Sequence, residues 1–152
     1  MKKFFIWIVA ICLFVPSHLY GQNLKPSAKE IYELNEKCGK RSAELFEKHY
    51  GKKGTSGDND SSWLSNYTCH YNIKLNKCFM LITSNGYPKD KKEQNTNGKF
   101  TDKTLWDINE NKQYGQFSRF AKIKNSMQCE VLEKNCNSEY EWDSLVKPYM
   151  EE

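Results

Sequence analysis

The residues of this chain best suited to chemistry are its cysteines and histidines. A thiolate activated by a neighbouring imidazole is a nucleophile, and Cys69 or Cys78 would act with His70 or His49 as the base. Because adjacent residues of a strand point to opposite faces, Cys69 and His70 are poorly placed for each other. Cys78 and His70 face each other only if a long turn joins their strands. We expect structural thiols here and assign no catalytic residue.

Other groups give weaker indications of a site. The chain has no Cys-x-x-Cys motif and no histidines paired at helical spacing, so the sequence predicts no metal site and no cofactor. Asp107 and Glu110 are close enough in sequence to suggest an acid–base pair. Nothing in their spacing sets the separation that glycoside hydrolysis needs, and solvated charges are the simpler interpretation.

The N-terminal segment has the pattern of an export signal. Two lysines precede an apolar run at residues 4–15, which is shorter than the about 20 residues of a membrane-spanning helix and has the length of a signal-peptide core. We expect cleavage after Gly21, with cleavage after Ser17 as the second choice. The chain then divides into a signal peptide at 1–21 and a single domain at 22–152, located in the periplasm or secreted.

Composition and charge limit the partners of this domain. Of 152 residues, 38% are hydrophobic, 14% aromatic and 28% charged, as in one soluble globular domain. The formal net charge of +4 falls by two units, to +2, without residues 1–21, because Lys2 and Lys3 leave with them and no acidic residue does. This small charge does not favour a nucleic acid as partner, and no stable membrane anchor remains after cleavage.

An aromatic and basic stretch lies toward the C-terminal end of the chain. Its aromatic residues are Tyr114, Phe117 and Phe120, and its cations are Arg119, Lys122 and Lys124. Single-stranded nucleic acid stacks on surfaces of this composition, but the export signal and the small net charge argue against that partner. We expect the aromatic side chains to pack across neighbouring strands, whereas an exposed row would suit a peptide or a sugar.

Helices are predicted at both ends of the domain. Ser27 and Glu30 form the pattern of a capping box, which begins a long amphipathic helix at 28–50. Gly51 ends this helix. Its apolar stripe comprises Ile31, Leu34, Cys38, Ser42, Leu45 and His49. Ser138 caps a second, short helix, which Pro148 ends.

Alternating apolar and polar residues predict antiparallel strands between the helices. The strands are predicted at 63–73, 78–83, 105–108, 113–121 and 127–132, with polar loops at 51–62 and 84–99. Residues 78–83 are apolar on both faces, so their strand is central. The fold class is α+β: a four- to five-stranded meander sheet with one face covered by helices, in the element order of cystatin-like folds.

Cysteines are expected to pair in an exported domain. Five remain after cleavage: Cys38, Cys69, Cys78, Cys129 and Cys136. Cys129 lies on the apolar face of the last strand and Cys136 just before the second helix, and the short link between them allows the chain to turn back and pair them. Cys38 lies on the stripe of the first helix and reaches the sheet, where its partner is Cys78 or Cys69.

The segment at 70–78, His-Tyr-Asn-Ile-Lys-Leu-Asn-Lys-Cys, is unusually dense in polar and reactive residues. It resembles a stretch that reads HYN-x-KLNKC in small uncharacterised exported bacterial proteins, and the runs at 105–110 and 141–151 are similar as well. The resemblance implies a disulfide framework of Cys38, Cys78, Cys129 and Cys136, with Cys69 as the free thiol. It implies no activity. His70 and Asn72 of this segment are the candidate functional residues.

These observations favour an exported, non-enzymatic domain that binds an unknown protein or a small ligand. One alternative is an inhibitor of a lysozyme or protease in the cell envelope, which the size, compartment and disulfides suit. The other is a thiol-dependent or hydrolytic enzyme, which would require a reactive Cys78.

Overall fold

A computed structural model describes residues 26–96, 98–123 and 127–151. The predicted signal peptide at 1–21 and Lys124 lie outside the described residues. The elements in chain order are α1 (Ala28–Tyr50), β1 (Thr55–Gly57), β2 (Ser61–Asn72), β3 (Lys77–Pro88), α2 (Lys91–Thr96), β4 (Phe100–Asp107), β5 (Lys112–Phe120), β6 (Gln128–Val131), β7 (Lys134–Asn135) and α3 (Glu139–Met150). In this part of the chain, no helix combines the length and the apolar character that crossing a membrane requires.

Helix α1 begins and ends where the sequence predicts. The Ser27 hydroxyl accepts a hydrogen bond from the Glu30 amide at 3.3 Å, and the Ser27 amide donates to the Glu30 carboxylate at 2.7 Å. The buried residues of the helix are Cys38, Ser42 and Phe46. Phe46 is absent from the predicted stripe, whereas His49, which the stripe includes, is exposed. The buried face is therefore rotated slightly toward Phe46.

Within the described residues the sheet has seven strands, not the four or five that the sequence predicts, and their spatial order is the chain order β1 to β7. All neighbouring strands pair antiparallel. Strands β1 and β7 were missed because their residues are exposed and polar, and backbone pairing alone leaves no apolar pattern.

Residues 84–99, which the sequence predicts to be a loop, contain the end of a strand and a short helix. Strand β3 continues to Pro88, and the short helix α2 follows. The extension is held by backbone pairing with two neighbours, because Gly86 pairs with both Trp63 and Phe100. Strand β4 accordingly begins at Phe100 rather than at 105, so five more residues of the sheet carry side chains on a defined face.

Helices α1 and α3 cover opposite faces of the sheet, whereas the sequence predicts helices on one face only. Side chains of Cys78, Met80 and Ile82 on β3 belong to the core beneath α1, whereas Phe79 and Leu81 belong to the core beneath α3. We call these the α1 face and the α3 face. This arrangement explains why β3 is apolar on both sides, and it makes the fold an α+β sandwich of three layers.

Helix α3 begins at the predicted cap, where the Ser138 hydroxyl accepts from the Glu141 amide at 3.1 Å. Pro148 lies inside the helix, which continues to Met150 instead of ending at the proline. A proline removes one backbone donor, and it is tolerated here in the last turn of the helix.

Candidate functional site

The 70–78 segment forms the β2–β3 hairpin, and its polar side chains hold neighbouring elements together. Asn72 is 1% exposed and donates to the carbonyl oxygens of Pro148 at 2.9 Å and Tyr149 at 3.4 Å. Its own carbonyl oxygen accepts from the Leu75 amide at 3.0 Å. One side chain thus satisfies the end of α3 and closes the hairpin turn, which favours a structural role for this candidate residue.

Lys77 extends the same network to the β4–β5 hairpin. Its ammonium group contacts Asp107 Oδ2 at 2.6 Å and Glu110 Oε1 at 2.7 Å. The hydrogen bond to Asp107, followed by that to Glu110, raises the pKa of Lys77 above its usual range. Asp107 is fully buried and also accepts from the Asn109 and Glu110 amides. The carboxylates that the sequence suggests as an acid–base pair are therefore bridged by a lysine, which favours a structural role.

One disulfide lies on each face of the sheet. Cys38 of α1 is bonded to Cys78 of β3, with Cα atoms 5.5 Å apart, and Cys129 of β6 is bonded to Cys136, with Cα atoms 5.0 Å apart. These are the pairs that the sequence analysis favours. Cys69 is a free, partly buried thiol packed against the core beneath α1.

The Cys78–His70 pair of the enzyme hypothesis does not form. Cys78 pairs across the hairpin with Tyr71, and His70 pairs with Phe79, so the two side chains point to opposite faces of the sheet. The sulfur of Cys78 is also bonded to Cys38. Among the described residues, no group of three or more His, Cys, Asp or Glu side chains could hold a metal ion.

The aromatic and basic stretch of β5 does not form one exposed row. Phe117 is fully buried beneath α3, and Tyr114 packs there against Phe79 with ring centroids 5.2 Å apart. Phe120 lies on the α1 face, where its ring is 4.7 Å from that of Phe100. The stretch is divided because its aromatic residues alternate between the two faces of one strand.

The feature that sequence reasoning missed is a cleft at the C-terminal end of α1, which we call the α1 cleft. It has a volume of about 420 Å³ and lies between the helix and the floor formed by β3 and β4. Its lining residues are Leu45, His49, Tyr50, Met80, Ile82, Trp106, Ile108 and Asn111. The cleft exists because α1 packs chiefly against β2 and less against β3, which leaves β4 only partly covered on this face.

Beyond the cleft floor, the α1 face carries a row of polar side chains across four strands. The row comprises Ser65, Ser84, Asp102 and Ser118, which are register partners on β2 to β5. The three serines are buried, and the hydroxyls of Ser65 and Ser84 are 2.8 Å apart. We call this set the Asp102 row, because Asp102 is its only ionisable member.

Past the Asp102 row, the face ends in an aromatic cluster of Trp63, Phe100 and Phe120. The rings of Trp63 and Phe100 meet edge to face with centroids 5.3 Å apart. Gly86 lies beneath the Trp63 ring, where a Cβ atom would come within 2.9 Å of ring carbons. Along β4, the α1 face therefore carries first the α1 cleft, then the Asp102 row and then the aromatic cluster.

The electrostatics of this face centre on Asp102 and Tyr50. Burial raises the pKa of the Asp102 carboxyl, and no cation or hydrogen-bond donor within the described residues compensates it. Burial, and then the nearby charge of Asp102, raise the pKa of the Tyr50 hydroxyl. Since Tyr50 also lines the cleft, it connects the cleft to the Asp102 row.

No protein-family model, curated protein or solved structure matches this chain. The resemblance of the 70–78 segment therefore stays a prediction, and the interpretation of the site depends on its geometry. Part of the site had a signal in the sequence: Phe100, Asp102 and Trp106 share one face of any strand that begins at residue 100. The cleft itself had none, because it depends on where α1 crosses the sheet.

Proposed function

We propose that this protein is an exported, non-enzymatic binding domain that takes the apolar part of a small ligand into the α1 cleft. The observation that carries the proposal is the cleft itself. Its volume of about 420 Å³ lies within the usual range for ligand pockets, about 300 to 1,000 Å³. Its lining is mostly apolar, with few polar groups at the edge, as is common in small-molecule sites.

The floor of the cleft is preformed by the sheet. Met80 and Ile82 are buried in the core beneath α1, and Trp106 is partly exposed at its side. Backbone pairing on both sides of β3 fixes the positions of Met80 and Ile82, and Trp106 lies on the neighbouring strand β4. A ligand that enters meets a rigid apolar surface, so little ordering of the protein opposes binding.

Export is part of the proposal and is supported by the disulfides. Two disulfides form among the five cysteines of the domain, and disulfides persist in oxidising compartments such as the periplasm or the cell exterior. The predicted signal peptide at 1–21 agrees with this location.

Binding is tested with a neutral apolar probe. In the purified protein, 4-phenyl-1-butanol should shift the methyl NMR signals of Leu45, Met80 and Ile82 in a saturable titration. Leu45→Gln places a polar amide at the cleft wall and should weaken binding several-fold. Tyr32→Gln changes an exposed residue of the same helix, 69% exposed, and should leave the affinity unchanged.

Two outcomes would contradict the proposal. One is the absence of saturable shifts with this probe and with its charged analogues described below. The other is a set of shifts spread over the surface that Leu45→Gln and Tyr32→Gln affect equally. Saturable shifts that are confined to the residues of the cleft, and that Leu45→Gln weakens, support binding in the cleft.

A further inference from the structure

Asp102 lies close to the cleft, on the same face of the sheet. Thr104 pairs with Ile82 of the cleft floor, and Asp102, two residues along β4, pairs with Ser84. Two residues of a strand span about 7 Å, so the carboxyl is about one side-chain row away from the floor. Tyr50 lines the cleft and feels the charge of Asp102, which places the two groups near each other.

The surroundings of Asp102 leave its negative charge uncompensated. The described residues that line the cleft include one imidazole, that of the exposed His49, and neither lysine nor arginine. The neighbours of Asp102 in its row are serine hydroxyls, of which Ser65 and Ser84 bond each other. The other partly or fully buried carboxylates of the sheet and α3 differ, since Asp107 contacts Lys77 and Glu139 contacts Lys103 at 2.8 Å.

We propose that the ligand of the α1 cleft is a small organic cation: an amine with an apolar body that fills the cleft and an ammonium group that pairs with Asp102. This inference rests on the proposed function and adds the chemical class of the ligand. A cation about 7 Å from the centre of the apolar body reaches the carboxylate while the body stays on the floor. The apolar floor and the carboxylate then each have a partner of matching polarity.

The pairing explains a carboxyl that costs stability in the free protein. A carboxylate that loses water on burial without gaining a cation is unfavourable, and burial raises the pKa of Asp102 accordingly. An arriving ammonium compensates that loss by a charge-assisted hydrogen bond. An anionic ligand with the same body would meet the carboxylate instead, so the site discriminates by charge.

Three probes with one apolar body separate the two proposals: 4-phenylbutylamine, 4-phenyl-1-butanol and 4-phenylbutyrate, which at neutral pH are a cation, a neutral molecule and an anion. Dissociation constants come from methyl and indole NMR titrations of the purified protein. The amine should bind about tenfold or more tightly than the alcohol, and the butyrate more weakly than the alcohol.

Matched variants assign the preference to one carboxyl. Asp102→Asn should lower the affinity for the amine to that for the alcohol, and it should leave the affinity for the alcohol unchanged. Asp143→Asn removes the same charge on α3, on the opposite face, and should leave all three affinities unchanged. Removing an unpaired, partly buried charge does not threaten folding, so loss of amine binding in Asp102→Asn reports on recognition.

The failures of the two proposals are distinguishable. If the amine and the alcohol bind the cleft equally, or if the preference for the amine survives Asp102→Asn, the cationic ligand is wrong and the binding cleft stands. If none of the three probes binds the cleft, the proposed function fails, and this inference fails with it.

Discussion

The two faces of the sheet differ in how completely they are satisfied. Helix α3 contacts strands from β2 to β6 on the α3 face, whereas α1 packs mainly on β2 and less on β3 on the other face. On the α3 face, hydrogen bonding to Lys103 lowers the pKa of Glu139 despite its partial burial. On the α1 face, burial raises the pKa of Asp102, and no cation opposes it among the described residues.

The difference shows how one sheet can both anchor two helices and leave part of one face for a ligand. Apolar residues on both sides of β3 anchor both helices, so stability does not require α1 to cover the whole of its face. The less covered part of β3 and β4 then provides an apolar floor and, at Asp102, an uncompensated charge, which are features of recognition sites more than of packed cores. Both faces contain a buried core, and binding is proposed for the α1 face, which its helix covers less completely.

The largest effect is expected from a pair of tryptophans, one on each face. Trp142 of α3 is fully buried, and Trp106 of β4 is partly exposed beside the cleft. Trp142→Ala should lower the free energy of unfolding by about 3–5 kcal/mol, and Trp106→Ala by less than about 2 kcal/mol. Urea denaturation measures both. Equal losses would mean that the two faces are packed equally well.

The disulfides should also differ between the faces. The bond between Cys38 and Cys78 closes a separation of 40 residues, and that between Cys129 and Cys136 closes one of 7 residues. In the chain-entropy model, replacing each pair by serines should cost roughly 4 and roughly 2.5 kcal/mol, respectively. The larger cost falls on the α1 face, where the helix covers less of the sheet. A reversed order in thermal or chemical denaturation would show that packing on that face compensates for the bond.

A smaller loss is expected at Asn72, which joins the hairpin to α3. Asn72→Ala removes donors to the carbonyls of Pro148 and Tyr149 and should lower the free energy of unfolding by about 1–3 kcal/mol. Amide exchange in the last turn of α3 should accelerate, and binding of 4-phenyl-1-butanol should not change. Asn66→Ala, an exposed position of β2, is the matched control. A binding defect in Asn72→Ala would instead support the functional role assigned to this residue from the sequence.

The smallest effect has the opposite sign. Because the folded-state pKa of Asp102 is raised, the ionised carboxyl destabilises the folded protein above the unfolded-state pKa of about 4. Asp102→Asn should therefore increase stability at pH 7, by less than about 1 kcal/mol, and this gain should vanish as the pH falls below about 3. Tyr50 is the titratable group that faces Asp102 from α1, and it stays neutral throughout this range. A loss of stability at pH 7 would show that the carboxylate has a partner.

The elements that rest on local chemistry could be predicted from the sequence. Ser27, Glu30 and Gly51 determine the ends of α1 through bonds within a few residues, and Ser138 does the same for α3. The apolar character of 78–83 on both faces indicated a central strand. It could equally have indicated helices on both sides, since a strand needs apolar residues on two faces only when both are covered.

What the sequence could not reveal depends on pairing and crossing. Residues 84–88 join the sheet by pairing with β2 and β4, and residues 134–135 by pairing with the adjacent β6, although neither segment has the apolar alternation that indicates a strand. The α1 cleft depends on the line along which α1 crosses the sheet, which no spacing along the helix encodes. The same holds for Asp102. A third strand that begins at 105 leaves Asp102 outside the sheet, so the sequence does not place it on the face that it shares with Trp106.

The order of the strands has a consequence for how the chain matures. Every strand pairs with its neighbour in sequence, so a chain delivered N-terminus first completes each hairpin as soon as the next strand emerges. Helix α3 is the exception, because the hydrogen bonds of Asn72 to the carbonyl oxygens of Pro148 and Tyr149 join residues 76 and 77 positions apart. Until α3 arrives, Phe79 and Phe117 have no cover. A nascent or truncated chain that lacks α3 is therefore a finished sheet with one apolar face bare, and it is this form that chaperones and proteases would meet.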